Sequence, residues 1–443
     1  IYPDTRSKGY IYNETANSPT VAGTSFLTGI VDEKGVRYET IKFDYNHRAY
    51  HAEFAGGVDT TTLDYAASTW KGTLPVTVKG PLGATSKLGF VDTGKGRLMP
   101  AGGSAACGDQ CNQPYKAMTY DANGYPASVK DFKGITTRTT YTADGLLAEQ
   151  VDAADTPQQR TTTTTWDSAL RLPLSRVVKN SASVAVSSSS WKYNALGLEV
   201  ARCEVDSAIP AAVGYACGAA TNAPAGVRQW TTAYCAAVDA TQCPQVGLVL
   251  AEDGPRSDVQ DVTRYGYYLT ADESGCGVLG GSCHRAGDLQ SETNALGQVT
   301  TRLAYDRNGR VTRVRDTTGT IHDFGYSTRG KLTSITERNS VDGAASTSDR
   351  VTTLSYDPTG NVTSIVDPDG VSLSYTYDDA HRLVQINDGA GNNIRYTLDV
   401  AGNRTKEEVF DAGGGLKRSL SRVYNKLGQL VSQKTAAGNS TDF

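Results

Sequence analysis

The 443-residue chain contains no run of 18 or more apolar residues, so nothing in it reads as a membrane-spanning helix. Stretches of Ala, Leu, Glu and Lys with a 3.6-residue apolar period are scarce, which argues against an α-helical fold. Neither sign of charge dominates. With 43 basic and 47 acidic residues the formal net charge is −4, so no one-sided field points to nucleic acid or an anionic membrane. A mixed-sign stretch such as Thr312-Arg313-Val314-Arg315-Asp316 reads as a solvated strand face. Only five histidines occur. His47 and His51 lie four apart, but in a stretch of strand and loop character, not on the helix that a zinc-binding H-E-x-x-H site requires. The glycine run Gly413-Gly414-Gly415 lacks a following Lys-Ser/Thr, so it is not a phosphate loop.

What is abundant is glycine (46) and tyrosine (24), with Thr and Ser throughout and only 38% apolar residues. That balance suits half-buried strands joined by glycine turns. A repeat makes the expectation concrete. Tyr356-Asp357-Pro358-Thr359-Gly360 opens a segment that turns again at Asp367-Pro368-Asp369-Gly370, and Tyr377-Asp378 begins the next unit 21 residues on. Asp or Asn at the first turn position accepts main-chain hydrogen bonds, Pro at the second presets φ, and Gly at the fourth tolerates the exit geometry. Val371, Leu373, Tyr375 and Tyr377 alternate with Ser372, Ser374 and Thr376, the period of a strand with one more apolar face. The other half-unit places apolar residues three apart, as at Val362 and Ile365 or Val311 and Val314, which fits either a bulge or a strong twist.

Copies of the unit recur at Tyr120-Asp121, Tyr141-Thr142, Tyr305-Asp306 and Tyr326-Ser327, with weaker ones at Trp166-Asp167, Tyr193-Asn194, Leu398-Asp399 and Tyr424-Asn425. Gly83 to Phe90 keeps the seven-residue glycine-to-aromatic spacing seen at Gly370 to Tyr377, so the first hundred residues read as divergent repeats. The predicted fold is all-β: a long antiparallel hairpin meander coiling into a hollow or partial shell. Four stretches are distinguished: 1–110 as divergent repeats, 111–202 as regular sheet, 203–290 as a cysteine-bearing insertion, and 291–443 as the most regular sheet.

The eight cysteines fall in four local groups, and pairing as 107–111, 203–217, 235–243 and 276–283 is the simplest arrangement. Zinc is the rival reading, weakened because the gaps do not match C-x2-C spacing. Disulfides would imply an oxidising compartment.

The recurrent Y-D-x-x-G units and their companion D-x-x-G turns resemble the YD repeats of the Rhs family, which includes bacterial polymorphic toxins, the C component of insecticidal toxin complexes and the teneurins. That resemblance covers most of residues 30–430. It implies a β-ribbon spiralling into a shell around a C-terminal toxin or effector cargo, secreted or at the cell surface of a bacterium, with other shell or delivery-system proteins as further partners. The alternative is a cell-surface adhesion or carbohydrate-binding module. The family's aspartyl self-cleavage segment has no match here, and Asp367-Pro368 sits in turn register. Catalytic, cofactor and metal residues are therefore all expected to be none, and the shell itself is not expected to bind nucleic acid.

Among single residues, Cys283-His284 reads as disulfide plus neighbour. His381, in the place of the turn glycine after Asp378, reads as tolerated drift. Asp367, Asp369, Asp378 and Asp379 offer carboxylates for calcium, but turn hydrogen bonding already accounts for their register. The tyrosines read as packing anchors, with sugar stacking as the sharper alternative. The chain starts at Ile1 without a methionine or signal-like segment, so its natural start is expected to have been removed.

Overall fold

The structure is a computed structural model that describes residues 2–19, 25–65, 76–94, 98–104, 115–209, 212, 215, 217–218, 223–256, 258–278 and 280–442. Among them are 33 strands and a single three-residue 3₁₀ turn, so the all-β expectation holds. The first eight strands, Gly9–Tyr12 to Leu98–Gly103, form one antiparallel sheet in sequence order. The other 25, Tyr115–Tyr120 to Ser440–Asp442, form a second sheet, also in sequence order, that curls into a barrel. Among the described residues, all extended ladders of the barrel join sequence neighbours, and its closure between the last and first strands carries none. The change of sheet falls between Gly103 and Tyr115. Strands from the cysteine-bearing stretch, such as Val227–Tyr234 and Val262–Tyr267, remain full members of the barrel.

Each D-x-x-G turn is built as its residues require. At Asp367 the carboxylate Oδ1 accepts the amides of Asp369 (3.0 Å) and Val371 (2.8 Å). The Gly370 amide donates to the Asp367 carbonyl, and the Asp367 amide to that of Val371. Gly370 has φ +83°, a region in which a side chain is strained. This is a three-residue hairpin loop: a type I turn followed by a left-handed residue.

The three-residue spacing of the other half-unit is a bulge. Tyr356 pairs with Val362 and Ser355 with Ser364, leaving Thr363 without a partner opposite. Tyr326–Leu332 and Gly325–Ser334 skip Thr333 in the same way. The extra residue returns Val362 and Ile365 to one face, which twist alone would not do.

Apolar burial is thin, as a one-layer wall requires. The larger cluster, Cys203, Val205, Ala212 and Val227, is packed against by Ile209, Tyr215, Cys217 and Ala223, and the smaller centres on Val78. Elsewhere one face carries a half-exposed apolar stripe traced by direct cross-strand pairs: Phe324–Ile335, Leu354–Ile365–Leu373 and Tyr375–Ile386–Ile394–Val409. Stability is thus distributed along ladders and edges and is not concentrated in one core.

Candidate functional site: the seam where the ribbon meets itself

Because Tyr ends most of the alternate strands of the second sheet, the repeat tyrosines share one edge of the ribbon. Their hydroxyls do more than pack. Those of Tyr193, Tyr234, Tyr267, Tyr305, Tyr326, Tyr356, Tyr377 and Tyr424 donate to the carbonyls of Pro173, Glu199, Val249, Leu289, Val311, Leu332, Val362 and Arg404, at 2.6–3.3 Å. Each acceptor opens the preceding strand, so every ring clips one hairpin to the one before it. Trp166, in a tyrosine's place, keeps the function through its indole N–H, which donates to Leu147 at 2.8 Å. Burial raises the Tyr305 phenol to about 12 and pushes those of Tyr193, Tyr267, Tyr326 and Tyr377 upward. The sequence signal for this was the substitution itself, since Trp shares the ring and the donor.

Three disulfides are formed, Cys203–Cys217, Cys235–Cys243 and Cys276–Cys283, and the 107–111 pair lies outside the described residues. Two of them pin enlarged connections on the tyrosine edge and the third pins the 206–226 connection on the opposite edge. His284 stacks on Tyr268 with ring centroids 3.6 Å apart, and its Nδ1 lies 3.1 Å from the Thr270 carbonyl. His47 lies in a turn at φ +63°, whereas His51, on a strand, faces Glu53 at 3.4 Å. Among the described residues no group of three or more His, Cys, Asp and Glu converges on a metal position.

Arg313 corrects the reading of its stretch as solvated face. It forms a paired contact with Asp323 at 2.5 and 2.8 Å, and Asp323 in turn receives Arg338, which also holds Asp349 at 2.7 Å. Asp323, Arg338 and Asp349 side chains are at most 6% exposed. Burial disfavours the Asp323 carboxylate, but the two guanidinium groups outweigh it and hold its pKa below the usual range. The four residues fix the long connection between Glu337 and Arg350.

The functionally distinctive place is where the first sheet meets the second. The turn Asp32-Glu33-Lys34-Gly35 sits on three tyrosine-edge turns 296–349 residues away in sequence. Lys34 pairs with Asp357 at 2.7 Å, Glu33 with Arg329 at 3.1 Å, and Asp32 with His381 at 2.9 Å. Arg329 also lies 4.1 Å from the Tyr2 ring centroid, 3.8 Å from Asp4, and donates to the Pro358 carbonyl. A little further on, the Asp59 amide donates to the Val400 carbonyl at 2.8 Å. Next to the seam is a cavity of about 430 Å³ lined by Asp4, Arg6, Arg329, Lys331 and Tyr356 among others.

His381 has partners that its reading as drift did not include. Its backbone takes φ +62° where glycine is usual, its ring stacks on Tyr38 at 4.4 Å, and its Nε2 meets Asp32. Burial works against the Asp32 carboxylate, but His381 and the amides of Val36 and Lys34 keep its pKa low. Asp357 is held well below the usual range because Lys34, Thr359 and Asn361 overcome its burial.

The model of the RHS Repeat family matches residues 284–321, 345–372, 356–393 and 377–413. About a quarter of the chain, all of it in the second sheet, thus matches the RHS repeat. No curated protein matches the chain. Solved structures similar to it include TcdB2-TccC3-TEV, at 15% identity and TM-score 0.45, covering 89% of this chain and 23% of that one. TcdB2-TccC3 without the hypervariable C-terminal region matches at 14% identity and TM-score 0.46, covering 96% and 26%. A Photorhabdus luminescens Tc holotoxin pore matches at 15% and 0.46, covering 89% and 22%. The chain thus spans about a quarter of the length of the structures it resembles.

Proposed function

We propose that this RHS-repeat chain is a non-catalytic wall segment of a secreted container that encloses a polypeptide effector. The carrying observation is that a single-layer ribbon, long enough to return on itself, is held in that closed course by turn-to-turn contacts between residues 296–349 positions apart. A solid protein would fill the space inside with side chains. This one has two small apolar clusters among its described residues and an apolar stripe left half-exposed. In this reading the stripe from Phe324 to Val409 faces the enclosed side and offers dispersed apolar contact to an extended chain. The stretches 1–110, 111–202, 203–290 and 291–443 are successive parts of that container. The disulfides fit an oxidising compartment, and hence a secreted or surface-exposed bacterial protein.

The test is protection of cargo. A protease-sensitive polypeptide is fused after Phe443, and its cleavage is compared with that of the same polypeptide free in solution. Enclosure slows cleavage at least tenfold while the wall stays intact. Equal cleavage rates, with the wall folded by circular dichroism, would refute the proposal.

A further inference from the structure

The contacts along the ribbon and those across the seam differ in kind. Neighbouring strands share ladders of three to six paired positions. Where the Asp32 turn and Asp59 meet the far turns, the contacts include one main-chain hydrogen bond, from Asp59 to Val400, together with ion pairs, a ring stack and a cation–π contact; beside the chain connection the two sheets are joined separately, by the Tyr120 hydroxyl donating to the Pro100 carbonyl at 2.7 Å. Peeling a strand exposes a row of amides and carbonyls at once. Parting the seam returns Asp32, Glu33, Lys34, Arg329, Asp357 and His381 to water, which solvates charges well and so offsets much of what is lost.

We propose that the eight-stranded N-terminal sheet is a lid, latched to the wall by this ionic seam and keyed by His381. The observations converge on that residue. A non-glycine side chain in the left-handed region is strained. The equivalent turns at Asp357 and Asp367 use glycine, while those at Asp44 and Asn180 place His47 and Ser183 in the same conformation, so the left-handed residue is not itself particular to the seam. What sets His381 apart is that its side chain is engaged across the seam, by Tyr38 and by the buried carboxylate of Asp32, whose side chain is 2% exposed when docked. Arg329 adds the second lock, reaching Glu33, Asp4 and Tyr2 from one turn tip. The lid is thus specified at turn tips, while both sheets keep their ladders whether it is open or closed. What it would open is the container proposed above, and the proposal rests on that reading for its purpose; the opening is measurable without any cargo.

The reporter is the Asp59 amide, protected by Val400 on the other side. Hydrogen exchange is followed in the full chain at 0.1 and 1 M NaCl, between which the Debye length shrinks from about 10 to about 3 Å. The lid reading expects exchange at Asp59 to quicken at least fivefold in high salt, with the amides of Ser372–Tyr377 unchanged. His381→Gly and Asp32→Asn should each produce the same acceleration at 0.1 M, and the double variant no more than either alone. Asn retains the oxygen that caps the Lys34 and Val36 amides, so the turn itself survives. Drift makes the opposite forecast: His381→Gly relieves backbone strain, raises the melting temperature and leaves Asp59 as protected as before. That result, or an Asp59 amide indifferent to salt, overturns the lid. A responsive Asp59 with unprotected cargo would instead keep the lid and remove the container.

Discussion

Replacing Tyr305 by Phe deletes one oxygen and tests whether the tyrosine edge is held by hydrogen bonds or by ring packing alone. Tyr305 is 7% exposed, and its hydroxyl donates to the Leu289 carbonyl at 2.6 Å. The ring remains in Tyr305→Phe, so the apolar contribution is kept. What is lost is one net hydrogen bond, about 0.5–1.5 kcal/mol, with a further cost if the Leu289 carbonyl finds no water. A loss of about 1–2 kcal/mol corresponds to a 5- to 30-fold rise in the local open population. Because a long repeat array does not unfold in one step, the assay is amide exchange in the strands Leu289–Thr293 and Val299–Tyr305. A Phe at Tyr45, which is 87% exposed, is the control and should change nothing measurable. A pH arm sharpens the test. The folded phenol ionises at about 12 and an unfolded one at about 10, so between those values the unfolded chain binds fewer protons and stability falls as pH rises. The advantage of wild type over Tyr305→Phe, present below pH about 10, should therefore shrink as pH approaches 12. A Phe variant with unchanged exchange at neutral pH would show that the hydroxyl is dispensable and that the repeat selects an aromatic ring only.

Breaking the buried Arg313–Asp323–Arg338–Asp349 network with Asp323→Asn leaves two guanidinium groups without their shared carboxylate; a loss of about 3–5 kcal/mol is expected, seen as rapid trypsin cleavage between Glu337 and Arg350. Removing the Cys203–Cys217 bond by paired serine substitution should cost about 3 kcal/mol in the chain-entropy account, for a separation of 14 residues, and should open the 206–226 connection to protease before the flanking strands. At the N-terminal sheet, the Arg37 guanidinium lowers Glu14 to about 2, despite opposing desolvation. The stability from that pair is present above the ordinary glutamate value of about 4.3 and is lost as pH falls towards 2, so Glu14→Gln should differ from wild type at pH 6 and converge with it in strong acid.

Much of the wall was legible in the sequence because its causes are local. An Asp that caps two amides, a glycine with positive φ and an alternating strand all sit within about ten residues of one another, and the turn at Asp367 appears as read. The choice between bulge and twist at Val362–Ile365 required the partner strand, since the unpaired residue, Thr363, is defined by what lies opposite. The tyrosine hydroxyls were hidden for a similar reason: their acceptors are main-chain carbonyls, which leave no mark in a sequence. Asp323 and Arg338 look like ordinary strand charges until a long connection covers them. His381 was the hardest, because its explanation lies 349 residues away at Asp32, and one chain alone offers no pattern linking the two. The irregularity was visible there, but its cause was not.

That separation also sets a schedule. Hairpins can form as their residues leave the ribosome, but the seat for Asp32 is not made until His381 has been synthesised. At about 5–20 residues per second, 349 residues take roughly 17–70 s. For that interval the nascent chain is an open, already laddered ribbon with its first sheet undocked. Its assembly therefore runs in one direction, and docking of the earliest-made sheet is among the last events.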